Sequence, residues 1–463
     1  MNTSHEYDLV CIGSGPAGQR AAVQAAKLGR KVAVIEKRRC LGGVCIDTGT
    51  IPSKTFREAV LALATPNVFE NGQLKRHRPT AEQLLGRVSE VVQRESDVIE
   101  DQLTRNDVDV YRGHAAFTDP HTIAVEADDV TQTLRSKFFL IAVGTKPTPP
   151  RGVDPGNDLV LTSDGICGMT KLPRSLTVVG AGVIGIEYAS MFAMLGVQVT
   201  LVDQRPRPLE FVDHEIIDEL IHQMRSRNCT FRLGEAVAAV KVKETNGRKA
   251  VIELESGKHL VSDMVLFSVG RVGATADLNL AAAGLAADDR GRLKVNDHFR
   301  TEVEHIFAAG DVIGYPSLAA TSSEQGRRAA CAAFEHEWRP MEPHFPIGIY
   351  AIPEISMVGA PEFELTEKKI PYEVGIARYR EIARGQILGD DSGLFKMLFH
   401  RETRKLLGVH AIGTGATELI HIGQAVIGLG AGLDYFVHTV FNYPTLAECY
   451  KVAALDALNK LSL

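Results

Sequence analysis

Several things are scarce in this 463-residue chain, and each scarcity excludes a class of protein. Aromatic residues make up only 6%, with a single Trp, and there is no excess of basic charge: the formal net charge is −6. A nucleic-acid-binding protein needs a cationic footprint, so that class has no electrostatic support. Apolar runs of five to nine residues are broken by Gly, Pro or charge, far short of the ~20 that a helical membrane span requires. The segment Met1 to Asp8 is polar and leads straight into an apolar stretch, without the features of a signal or transit peptide. The default expectation is therefore a cytosolic protein with neither membrane nor nucleic-acid partner. The seven cysteines, at 11, 40, 45, 167, 229, 331 and 449, are odd in number and scattered, which argues against a disulfide scaffold.

What is plentiful is glycine, with 42 residues, and much of it is concentrated in loops of a particular kind. Tyr7 to Ile12 reads as a buried strand. It is followed by Gly13-Ser-Gly15-Pro-Ala-Gly18, an Ala-rich helix to Leu28, and a second strand Lys31 to Ile35. The same order returns as a strand Ser175 to Val179, then Gly180-Ala-Gly182-Val-Ile-Gly185 within a helical stretch to Leu195, and a strand Val197 to Val202. This is a domain-scale duplication with a spacing of 167 residues from Gly13 to Gly180. In each copy the first glycine permits a tight turn, the second lets the backbone approach a pyrophosphate, and the third allows close helix–strand packing. Backbone N–H groups and the helix dipole then favour the phosphates. An acid ends the second strand of each copy, Glu36 and Asp203, where a carboxylate accepts hydrogen bonds from an adenosine ribose. The chain is thus expected to hold two dinucleotides.

The second acid lies in a mixed neighbourhood, Asp203-Gln204-Arg205-Pro-Arg207. A carboxylate suits the free 2′-hydroxyl of NAD(H), whereas arginine suits the 2′-phosphate of NADP(H). The pattern is compatible with use of both coenzymes, and equally with two arginines that are only solvated surface charges. Elsewhere, Thr80 to Thr104 has apolar residues at helical intervals, Phe138 to Val143 and Val303 to Ala309 read as strands, and residues 145–155 carry four prolines that suit a connection. From about Pro343 the texture changes to short alternating strands, such as Leu394 to Phe399, and amphipathic helices.

Three further motifs carry a family resemblance: Leu41-Gly-Gly-Val-Cys45-Ile-Asp-Thr-Gly-Thr50-Ile-Pro-Ser-Lys54, Ile306-Phe-Ala-Ala-Gly310-Asp311, and Tyr443-Pro-Thr-Leu-Ala-Glu448. In kind and order they resemble the flavoprotein disulfide reductases, the group of lipoamide dehydrogenase, glutathione reductase and mercuric reductase. The resemblance spans essentially the whole chain. It implies an α/β fold with two Rossmann-like FAD- and NAD(P)-binding domains and a C-terminal α+β dimerisation domain. The expected divisions are 1–150 and 272–342 for FAD, 151–271 for NAD(P), and 343–463 for dimerisation, giving a homodimer or larger homo-oligomer. It also implies that Asp311 binds the ribityl chain of FAD and that Lys54 and Glu187 form an ion pair beside the flavin ring. Lys54, Glu187 and Cys45 are the expected catalytic residues. Beyond the residues of the two cradles, the expected cofactor-binding set takes in Lys37, Gly42, Gly43, Cys45, Thr50, Lys54, His114, Gly144, Asp311 and Ala319. It further includes Val183, Ile184, Glu187, Gln204, Arg205, Gly270 and Arg271. No metal is expected.

Two departures from the family pattern bear on the chemistry. The disulfide reductases carry two cysteines five positions apart in the first motif; here the second place is Thr50, whose hydroxyl forms neither a disulfide nor a stable thiolate. They also place a His directly before the Pro of the last motif, where this chain has Tyr443, a poor base at neutral pH. Cys40 is five positions before Cys45 but follows the strand that carries Glu36, on the adenosine side, and His438 is out of register for the missing base. Within the family the pattern most resembles the branch that passes hydride between NADPH and NAD⁺ through FAD in a ping-pong cycle. Rival readings are a quinone- or O₂-reducing diaphorase, a lipoamide dehydrogenase-like reductase with unorthodox thiols, and a non-enzymatic flavin-bearing subunit.

Overall fold

The computed structural model describes residues 4–64, 68–70, 73–75, 79–128, 130–149, 158–244, 247–341 and 343–461. The proline-rich connection expected over 145–155 is described only as far as 149. The expected boundaries at 150/151 and at 342 fall on residues outside the described set.

Strong periodicity in the sequence becomes regular structure. Val32–Glu36 is buried at every position, as a strand covered on both faces must be, which is why it reads as a continuous apolar run. It lies in a seven-stranded sheet, in the order Asp109–Arg112, Val32–Glu36, Ser4–Ile12, Val130–Ile141, Thr122–Ala127, His114–Asp119, with Ile306–Ala308 also pairing with Val130–Ile141. The strands around Ser4–Ile12 are parallel and the last three run antiparallel. The expected strand at Phe138 to Val143 is the end of a longer one. The one expected over Val303 to Ala309 is shorter, because Thr301 and Val303 form a turn that feeds Ile306. The long exposed helix is present as Ala81–Thr104, with Thr80 and Gln83 forming a reciprocal capping box.

The second glycine unit builds a five-stranded parallel sheet, ordered Val160–Thr162, Met264–Phe267, Ser175–Val179, Gln198–Asp203, Cys229–Leu233. A three-stranded antiparallel sheet, Val237–Glu244, Arg248–Leu254 and His259–Ser262, adjoins it. The duplication is exact enough at the backbone that Gly13 and Gly180 adopt φ of 103° and 104°.

The C-terminal region forms a five-stranded antiparallel sheet, ordered Ile347–Ile349, Ile355–Gly359, Leu406–Ile412, Leu394–His400, Tyr372–Arg378. Here one expectation is corrected. Leu394 to Phe399 reads as a strand alternating between inside and outside, yet all six residues are buried. Phe395, Met397 and Phe399 pack into the core shared with the helices Ala416–Gly428 and Glu448–Leu461. Leu394 and Lys396 face the other way, onto the second glycine unit. The alternation is real, but the second face meets another part of the protein instead of water.

Candidate active site

The first cradle joins Ser4–Ile12 to the helix Pro16–Lys27. A Cβ at Gly13 would lie 2.5 Å from the Ala142 carbonyl oxygen, and one at Gly18 would lie 1.9 Å from that of Gly13. Neither site admits a side chain, so the backbone itself forms the floor of the turn. Glu36 is buried; its carboxylate accepts from the Ser14 N–H (3.1 Å), the Ser14 hydroxyl (2.6 Å) and the Arg38 N–H (2.8 Å). Gly42 in turn donates its N–H to the Ser14 hydroxyl (2.9 Å). Because Gly18 and Gly42 serve packing and the turn, they do not line the space in front of the cradle.

That space is a cavity of about 970 Å³ lined by Gly13, Gly15, Glu36, Lys37, Gly43, Cys45, Thr50, Lys54, His114, Gly144, Asp311, Ala319 and Glu187, among others. It runs from the first cradle to the C-terminal sheet. At its far end, Lys54 on the helix Thr50–Leu63 meets Glu187 on Val183–Met194, with Nζ 2.8 and 3.0 Å from the two carboxylate oxygens. Glu187 is buried, and its Oε1 also accepts the Tyr350 N–H (2.8 Å). The Lys54 ammonium stands 4.9 Å from the centre of the Tyr350 ring. Three regions of the chain therefore fix one charge pair.

The thiol chemistry is muted. Burial pushes the Cys45 thiol up, partly offset by a hydrogen bond from Thr50. All the described cysteines are free. Cys40 turns to the Asp47 carboxylate (3.6 Å), and burial together with that carboxylate pushes its thiol up to about 11. Burial also raises the Asp311 carboxyl, against the pull of the Arg271 guanidinium.

The second cradle repeats the geometry: a Cβ at Gly185 would lie 1.9 Å from the Gly180 oxygen. Gly180, Gly182, Val183, Ile184, Asp203, Gln204, Arg205, Gly270 and Arg271 line a second cavity of about 860 Å³. Gly185 lies behind the turn. Asp203 accepts the Ala181 N–H (2.5 Å) and takes a two-pronged contact from Arg205, Nε at 2.9 Å and Nη2 at 2.7 Å. Despite burial, Arg205 holds the Asp203 carboxyl below the ordinary carboxylate range. Arg207 points away, to Asp218 (2.7 Å); of the two arginines, only Arg205 faces the cavity. Arg271 is tied to Thr145 (2.9 Å) and Asp164 (3.3 Å). Ser163, Val183, Ile184 and Arg271 line both cavities, so the two spaces meet beside the Lys54–Glu187 pair.

The residues of the last motif lie elsewhere in the chain. Tyr443 is 68% exposed, beside Val440 at 91%, and neither it nor Glu448 lines either cavity. His438 is exposed too. Several residues that do line the first cavity carry no local sequence signal: Phe211, Gly348, Tyr350, Thr417 and His421.

A family model of the pyridine nucleotide-disulphide oxidoreductases matches residues 7–326, and one of their dimerisation domain matches residues 345–454. The chain belongs to this family. The soluble pyridine nucleotide transhydrogenase of Mycobacterium tuberculosis (strain ATCC 25177 / H37Ra) is 52% identical over 461 residues, covering 98% of each chain. The soluble pyridine nucleotide transhydrogenase of Colwellia psychrerythraea is 45% identical and covers 100% of both. Among solved structures, the HOCl-induced flavoprotein disulfide reductase RclA from Escherichia coli has a TM-score of 0.88 at 26% identity, covering 97% of this chain and 99% of that one.

Proposed function

We propose that this protein is an FAD-dependent transhydrogenase that moves a hydride between NADPH and NAD⁺ in a ping-pong cycle, as a homodimer or larger homo-oligomer. The observation that carries the reading is the junction of two cavities, each fronted by a glycine cradle, beside the half-buried Lys54–Glu187 pair, with a threonine facing the nearby Cys45 thiol. The close-packed cradle at Gly13 and Gly18, the acid Glu36 and the carboxyl of Asp311 suit an FAD. When bound, FAD supplies the chemistry of accepting hydride from one nicotinamide and returning it to another.

The chain's own part is alignment and electrostatics. The second cradle holds the coenzyme pyrophosphate on the N-terminus of Val183–Met194. Val183 and Ile184 form an apolar wall that keeps water from the junction. Lys54, fixed by Glu187 and Tyr350, presents a positive charge that favours an electron-rich ring. Asp203 suits a ribose hydroxyl, and Arg205 suits a 2′-phosphate once it leaves the Asp203 carboxylate. One site of this kind accepts both coenzymes in turn. The lack of a partner thiol for Cys45 leaves a second nicotinamide as the electron acceptor.

The test is NADPH-driven reduction of thio-NAD⁺ over a range of both concentrations. Parallel double-reciprocal lines are expected. An anaerobic dithionite titration accompanies it, with two electrons taken up per FAD. Uptake of four electrons would sink the reading in favour of an active disulfide. Oxidation of NADPH only with quinone or O₂ as acceptor would replace it with a diaphorase.

A further inference from the structure

A second buried charge cluster lies away from the cavities. Lys396, on the strand Leu394–His400 of the C-terminal sheet, is fully buried. Its ammonium donates to Asp213 (3.1 Å), Glu215 (2.7 Å) and Glu362. Burial pulls the ammonium towards neutrality, but the carboxylates of Glu215 and Glu362 outweigh this and hold it charged. Burial lowers the imidazole pKa of His410, its partner across the strands. Lys396 is the cation that these three carboxylates share. Burying a charge is costly unless it is fully paired, and such pairs are poor sources of net stability. This invites a positional role.

The position is informative. Asp213 is the N-cap of the helix His214–Ser226 and the first residue after the loop 204–212. That loop follows Asp203 and carries Gln204 and Arg205 into the second cavity and Phe211 into the first. Its interior is pinned by buried Leu209 and Val212. At its upstream end, Asp203 is held by the Ala181 N–H and by Arg205. At its downstream end, Asp213 caps the helix through the Glu215 N–H (3.2 Å), accepts the Glu362 N–H (3.3 Å) and binds Lys396. Both contacts across the domain boundary come from the C-terminal region.

We propose that Lys396 is a positioning residue for nicotinamide coenzyme binding: from the C-terminal domain it anchors the loop 204–212, and so sets Arg205 and Phe211 against the coenzyme. The inference rests on the nicotinamide reading of the second cavity, but not on hydride reaching a second coenzyme. Lys396 touches neither cavity, so its effect is read in coenzyme affinity and not in the intrinsic chemistry.

The experiment uses the oxidised FAD-loaded enzyme and NADP⁺ as probe, titrated by calorimetry. Lys396→Met is expected to weaken NADP⁺ binding about tenfold, equivalent to about 1.4 kcal/mol. KM for NADPH should rise in parallel, with kcat, FAD content and the flavin absorption spectrum kept. Lys396→Arg should return the affinity to within about twofold of wild type. Should Lys396→Met fail to fold, Asp213→Asn provides the second variant: asparagine keeps the helix cap but weakens the ionic hold, and a smaller loss of NADP⁺ affinity with retained FAD is expected. Unchanged NADP⁺ affinity in whichever variant folds overturns the proposal, as does a loss of FAD in proportion to NADP⁺. A wild-type enzyme that binds NADP⁺ but reduces no thio-NAD⁺ would defeat the functional reading alone.

Discussion

Lys54 and Glu187 show how much of one site depends on single side chains. The lysine is a quarter exposed and the glutamate nearly buried (25% and 3%), so the pair sits at the wall of the cavity, not in bulk water. Removing the lysine does two things: it takes away a positive charge beside the cavity, and it leaves a buried carboxylate without its cation. These effects separate in a double-mutant cycle. Lys54→Met alone should lower stability and slow flavin reduction by NADPH in stopped-flow by roughly tenfold to a hundredfold, about 1.4 to 2.7 kcal/mol on the barrier. The double variant Lys54→Met/Glu187→Gln should recover much of the stability, because the orphaned charge is gone, but not the rate. Full hydride transfer in Lys54→Met would remove the electrostatic role assigned to this residue. At the same scale, the glycines and the acids Glu36 and Asp203 were directly legible, since a close-packed turn and a carboxylate that accepts its backbone N–H each demand a residue type at a fixed spacing. The sequence did not show that Glu187 is held by the backbone N–H of Tyr350, 163 positions away. A backbone donor leaves no residue type to recognise.

Elements were legible where their environment is uniform. Pro16–Lys27 is rich in alanine because one face must lie against another helix, Ala319–Ala333, at very short range. At Gly326 a Cβ would fall 2.0 Å from the Ala17 carbonyl oxygen. Backbone cannot yield as a flexible side chain does. Gly326→Ala should therefore force the two helices apart, costing about 3 kcal/mol and weakening FAD retention, because Ala17 belongs to the first cradle. Gly86 provides the contrast: it lies inside Ala81–Thr104, and a Cβ there meets nothing within 4 Å. Gly86→Ala should stabilise by about 0.5–1 kcal/mol. Thermal unfolding of the two variants would expose the difference, and equal shifts would mean that the helix contact is looser than described. Leu394–His400 was legible as a strand but not in its burial. Alternation identifies two faces; it does not say that one of them, bearing a lysine, packs on another domain.

At the scale of the whole molecule, the first cavity is where the parts of the chain converge. Its wall takes Gly13 and Asp311 from the first unit, Glu187 and Tyr188 from the second, and Gly348, Tyr350 and Thr417 from the C-terminal region. A ligand filling this space contacts all three, so it contributes stability to each and to their relative placement. Binding only to the folded state stabilises by RT ln(1 + [L]/Kd), about 2.7 kcal/mol at a hundredfold excess over Kd. The Lys396 cluster, by contrast, ties the second unit to the C-terminal region without help from the cavity. Removal of FAD should therefore loosen the first unit more than the other two. Calorimetry is expected to show one cooperative transition for the FAD-loaded protein and two for the apoprotein, the earlier one abolished by adding FAD back. Hydrogen exchange should assign that earlier transition to Ser4–Ile12, Pro16–Lys27 and Ala319–Ala333, and leave Leu394–His400 and His214–Ser226 protected together. Exchange in which the last two elements open separately would show that the buried lysine does not join them, and would count against its role in setting the coenzyme loop.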